Sequence, residues 1–99
     1  MGNSTLEDLL EKLIGYANEE IALVKKAYYY AENLHRGQVR QSGEAYITHP
    51  LNVAYILAEM HADCDTICAG LLHDTIEDAN ITKEDIAHEF NQNIANLVD

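Results

Sequence analysis

The stretch that most constrains this chain is Leu71-Leu72-His73-Asp74-Thr75-Ile76-Glu77-Asp78, where an apolar run meets one imidazole and three carboxylates. A helix turns about 100° per residue, so His73 stacks on Glu77 and Asp74 on Asp78, all on one side. The opposite arc of Cys68, Ala69, Leu72 and Ile76 can then pack into a core. Gly70 lies on the polar side one turn earlier, where a missing side chain lets another backbone approach closely. Three carboxylates have the wrong sign for a helix C-terminus, which favours cations by about 0.3–1 kcal/mol each. A divalent metal would offset that cost. Imidazole with carboxylate suits Mn, Fe or Zn better than Ca or Mg. The competing reading is a helix end fraying into solvent before Ala79-Asn80.

Ninety-nine residues suffice for one small domain with a single core, spanning residues 1–99. No apolar run reaches the roughly 18–20 residues of a membrane span, and the N-terminus lacks the basic and apolar regions of a signal peptide. The expected location is cytoplasmic, with no membrane partner. A formal net charge of −11 argues against a general nucleic-acid binder, and no DNA partner is expected. Lys25, Lys26, Arg36 and Arg40 nevertheless fall in one stretch, and a local basic patch can receive a small polyanion. Cys64 and Cys68 could ligate a metal, but without a second thiol or imidazole pair nearby they read as small core residues.

In chain order, Ser4-Thr5-Leu6-Glu7 predicts a capping box opening a first helix, with Gly15 as its stop. Asn18 is expected to cap a second helix whose stripe is Ile21, Val24, Tyr28 and Ala31, widened by Ala27, Tyr30 and Leu34. At least two of the three consecutive tyrosines are expected to be core or half-buried. Residues 35–47 break the periodicity and read as an ordered loop, whose arginines can grip phosphate or stack on a base. Thr48-His49-Pro50 opens a third helix, mostly buried, through Met60. If that helix packs antiparallel to the next through a short connection at residues 61–65, His49 can face His73 and Asp74 across a metal. Thr82-Lys83-Glu84-Asp85 begins another helix with Ile86 and Phe90 inward, and residues 94–98 are apolar at helical spacing.

Two motifs then stand together: His35-x-Gly37-Gln38-x-Arg40-x-Ser42-Gly43-Glu44-x-Tyr46-x-x-His49-Pro50, and Leu72-His73-Asp74-x-x-Glu77-Asp78. In this pairing the chain resembles the HD hydrolase domain of the Rel/Spo alarmone synthetase/hydrolase family, from Lys25 onward. The resemblance implies an all-α HD-domain bundle of five to six helices, C-terminally incomplete here. It implies Mn²⁺-dependent removal of the 3′-pyrophosphate from guanosine tetra- or pentaphosphate. By the same resemblance His49, His73 and Asp74 are metal ligands, and Glu77 and Asp78 are catalytic, positioning and deprotonating the attacking water. Arg40 lies against the guanine, with Gln41 and Ser42 lining the pocket.

Ala45 stands where the family usually has Pro, Gln41 where Lys is frequent, and Ala79 where Thr or Cys is common. The family's last metal ligand, an Asp on a later helix, has no counterpart, since Asp85 and Asp99 sit in no matching motif. Missing later helices are expected to leave apolar faces open to a homo-oligomer. The alternatives are an HD phosphohydrolase for another nucleotide, or a non-catalytic alarmone-binding or oligomerising module.

Overall fold

The computed structural model describes residues 5–34, 48–73 and 81–98, with Thr48 and His49 described by their backbone alone. Among these residues there are six helices and no strand: α1 (Leu6–Lys12), α2 (Asn18–Leu34), α3 (Thr48–Glu59), α4 (Cys64–Leu72), α5 (Lys83–Glu89) and α6 (Gln92–Val98). The all-α expectation holds.

Helix α1 starts one residue later than the sequence suggested. Thr5, not Ser4, is the N-cap, and its partner in the capping box is Asp8 rather than Glu7. The amide of Asp8 donates to Thr5 Oγ1 at 3.2 Å, and the Thr5 amide donates to the Asp8 carboxylate at 3.0 Å. Both registers offer a hydroxyl and, three residues on, a carboxylate. The helix adopted fully buries Leu9, with Leu13 buried at its C-cap. It ends at Lys12, before Gly15, which takes φ +103° in the turn that follows. Asn18 is already the first residue of α2. The cap position falls to Ala17, whose carbonyl accepts from the Ile21 amide. Ala17 has no side-chain acceptor, and Glu20 reaches back to its N–H at 2.9 Å.

Helix α2 buries Val24, Ala27 and Ala31. Tyr28 and Tyr30 are half-buried and Tyr29 is exposed, as a stripe narrower than the tyrosine run requires. Burial, with Glu32 beside the hydroxyl, pushes the Tyr28 phenol up to about 12. Tyr30 meets Phe90 edge to face, with ring centroids 5.3 Å apart. Of the expected basic patch, Arg36 and Arg40 lie outside the described residues, and Lys26 is engaged by α5. Its ammonium donates to the Glu89 carbonyl at 2.5 Å and lies 4.9 Å from the Phe90 ring centroid. The last turn of α5 presents carbonyl oxygens and a carboxylate there, and these attract a cation.

The core runs through α4. Cys64, Ile67, Cys68, Ala69, Gly70, Leu71 and Leu72 are all buried, and the helix packs against α2, α3 and α6. Both cysteines are free thiols, and burial pushes them up from their ordinary range. They are core residues, as expected. Helix α3 buries Leu51, Ala54 and Ala58, but Ile56 is 55% exposed and Met60 69%. The expectation of a mostly buried α3 therefore holds for one face only. Helix α1 reaches the same helix from another side, where Lys12 pairs with Glu59 and lies over the Tyr55 ring.

Candidate metal and substrate site

The α3–α4 turn sets the geometry of the site. Four residues, 60–63, connect the helices, one fewer than the five expected, because Cys64 is already helical. The His61 amide donates to the Ala58 carbonyl and the Ala62 amide to the Leu57 carbonyl, each at 3.0 Å. These are the two bonds of a Schellman motif, and His61 takes its left-handed position at φ +60°. Tyr16 clamps this turn to the α1–α2 corner, its hydroxyl donating to the Ala62 carbonyl at 2.5 Å. So short a turn returns α4 antiparallel along α3.

The register follows from Gly70. A Cβ built there would lie 2.8 Å from Leu57 Cδ1, 3.4 Å from Val53 Cγ1 and 3.9 Å from Ala54 Cα. Helix α3 does approach closely at Gly70, but with the side chains of Leu57 and Val53 ahead of its backbone, and Gly70 is buried in the core rather than set on a polar side. Three residues beyond Gly70 the chain reaches His73. Counting back equally along α3 leads to its first turn, which contains His49. The beginning of α3 and the end of α4 therefore lie at the same end of the helical pair.

His73 is the C-cap of α4, with φ −62° and ψ −27°. Its Nδ1 lies 2.9 Å from the Gly70 carbonyl oxygen. A carbonyl can only accept, so Nδ1 carries the proton and the ring lone pair is on Nε2. That tautomer is the one in which Nε2 ligates a cation while a backbone carbonyl holds the other nitrogen. A histidine bonding a last-turn carbonyl also serves as an ordinary helix cap. In the sequence the next residue is Asp74, a carboxylate that can accompany an imidazole as a donor to a cation. The donor chemistry of the residues at this end of α4 fits a divalent metal. Among the described residues, no three His, Cys, Asp or Glu side chains form a metal-holding group. The His49 side chain and Arg40, Gln41, Ser42, Asp74, Glu77 and Asp78 lie outside the described residues.

Asp85 is committed elsewhere. Its carboxylate accepts from the Thr82 amide at 3.0 Å, completing the capping box of α5, and this bond holds its carboxyl below the usual range. The sequence signalled Gly70 for its missing side chain but gave no role to its carbonyl. The i, i+3 spacing to a histidine at a helix end was the available clue. A second unforeseen polar contact joins α4 to the last helix. Asp65 accepts from Asn93 at 2.7 Å and from Asn91 at 3.4 Å, while Asn91 caps α6 by accepting from the Ile94 amide at 2.7 Å.

Known proteins supply the comparison. The family model described as HD domain matches residues 27–99. The chain is 44% identical, over all 99 of its residues, to a guanosine-3′,5′-bis(diphosphate) 3′-pyrophosphohydrolase of Aquifex aeolicus. It is 48% identical, over 82% of its length, to the bifunctional (p)ppGpp synthase/hydrolase SpoT of Escherichia coli. A probable GTP pyrophosphokinase of Mycobacterium leprae is 43% identical over 97% of the chain. The chain spans only 14%, 12% and 13% of these three proteins, respectively.

Proposed function

This chain belongs to the HD-domain family, and on that footing we propose that it forms part of a divalent-metal hydrolase site for guanosine 3′,5′-bis(diphosphate). The reaction is removal of the 3′-pyrophosphate, giving GDP, or GTP from the pentaphosphate. The observation that carries this reading is the 2.9 Å contact of His73 Nδ1 with the Gly70 carbonyl, at the end of α4 where the first turn of α3 also lies. The names of the relatives at 44–48% identity support the substrate.

His49, His73 and Asp74 would hold the metal, with Mn²⁺ the cation proposed. When bound, it would acidify a coordinated water and neutralise phosphate charge. Glu77, four residues beyond His73 in the sequence, would take the proton of the attacking water, and Asp78 would orient that water. Arg40 would stack on or bond the guanine, with Gln41 and Ser42 beside it. The binding groups a small polyanion needs are then local, within an otherwise acidic chain.

The test is pyrophosphate release from guanosine tetraphosphate with added Mn²⁺, using the 99-residue chain and Glu77→Gln. Any release by the parent is expected to be lost in Glu77→Gln. Mn²⁺ binding is expected to persist in Glu77→Gln and to vanish in His73→Ala. Undiminished binding by His73→Ala would overturn the ligand assignment. Two relatives carry the name GTP pyrophosphokinase, so GTP with ATP is the companion assay. Pyrophosphate transfer there, without hydrolysis, would favour that reading instead.

A further inference from the structure

We propose that Gly70 is a positioning residue for the metal site, setting the spacing between the helix that carries His49 and the helix that ends in His73. The inference rests on the metal-site reading above and adds to it the element that fixes the site's width. Two observations converge on this glycine. It is buried in the α3–α4 interface, where a Cβ would stand 2.8 Å from Leu57 Cδ1 and 3.4 Å from Val53 Cγ1. Its carbonyl, 2.9 Å from His73 Nδ1, also orients the histidine ring. The missing side chain at position 70 lets the two helices approach, and the backbone carbonyl that meets His73 belongs to the same position in the interface.

Packed interiors respond to added atoms by shifting rather than compressing. The nearest neighbour is the tip of Leu57, which can turn aside for a single methyl group. Gly70→Ala is therefore expected to stay near the parent. Valine at this place adds two γ carbons that reach towards both Leu57 and Val53, and α3 must move. That displacement is passed to the first turn of α3, because a helix moves as a rigid rod over one turn. A metal held by ligands from both helices senses the change in span.

The experiment is Mn²⁺ titration by electron paramagnetic resonance, with thermal unfolding recorded in parallel, on the parent chain, Gly70→Ala, Gly70→Val, Leu57→Ala and the Gly70→Val/Leu57→Ala pair. Gly70→Val is expected to weaken Mn²⁺ binding about tenfold or more, the scale on which supporting groups around a metal act. Leu57→Ala alone is expected to lower the melting temperature and leave binding unchanged. The double variant is expected to recover affinity without recovering stability, a split that a purely structural role would not produce. If Gly70→Val does not fold, Gly70→Ala and the Gly70→Ala/Leu57→Ala pair take its place, the first expected to bind slightly more weakly than the parent and the second to match it. Equal Mn²⁺ affinity across the folded Gly70 variants, with binding still abolished by His73→Ala, would overturn the role of Gly70 alone. No Mn²⁺ binding by the parent would overturn the metal site and this role together.

Discussion

Helices α4 and α5 are both short, nine and seven residues, yet they are held in opposite ways. Seven of the nine residues of α4 are buried, and its N-cap Asp63 makes no side-chain capping bond. Asp63 instead accepts from the Thr66 hydroxyl, a bond within the first turn. Helix α5 buries only Ile86 but carries a complete capping box between Thr82 and Asp85. Isolated helices of this length are marginal in water. One is stabilised by tertiary burial, the other by local bonds at its start plus the Lys26 tether at its end. The difference bears on the proposed site, because His73 follows the helix that packing, not local bonding, holds in place. Its position is a property of the core.

The largest test of that contrast is Ile67→Ala in α4. Ile67 is fully buried, and its truncation is expected to cost about 2–5 kcal/mol in urea unfolding, enough to threaten the fold. A loss below about 1 kcal/mol would show that α4 is not held by burial. Next comes Thr82→Ala, which removes the cap of α5 and is expected to cost about 1 kcal/mol. Asp63→Ala, at the formally equivalent place in α4, is expected to cost less than Thr82→Ala, because no capping bond is lost. If the two costs come out equal, the contrast fails at the level of the caps.

The smallest effect is in pH. The Asp85 carboxyl is held below its ordinary value of 3.8, chiefly by the Thr82 amide. A depressed carboxyl pKa stabilises the fold above that ordinary value, and the contribution is lost as pH falls through the lower folded value. The stability gap between the parent and Asp85→Asn is therefore expected to hold at neutral pH and to close in acid below 3.8. A gap that persists at the lowest pH would mean that the carboxylate charge contributes nothing.

Much of this was legible in the sequence, and the failures are instructive. The helices, the Thr82 box, the inward Ile86 and the buried cysteines follow from periodicity and capping chemistry. Helix α1 was read one residue early because Ser4-Thr5 and Glu7-Asp8 offer two capping registers of equal local merit. Burial of Leu9 and Leu13 accompanies the one adopted. Helix α3 has a polar stripe of Asn52, Tyr55 and Glu59, but its apolar arc is too wide for periodicity to say that Ile56, beside that stripe, would face outward. At the proposed site, the value of a small residue at position 70 was readable. The bond from His73 to the Gly70 carbonyl was not, since it depends on the ring's rotamer at the helix end.

By itself, then, the sequence determined the helical architecture, the family and the chemical types available at the end of α4. Local bonds and hydrophobic period act within a few residues, and a linear reading can follow them. The tertiary structure decided which face of α3 meets α4, how closely they approach at Gly70, and that His73 and the first turn of α3 share one end of the pair. Those are distances between residues far apart in the chain, set by the filling of a common core, where each side chain's position depends on all its neighbours.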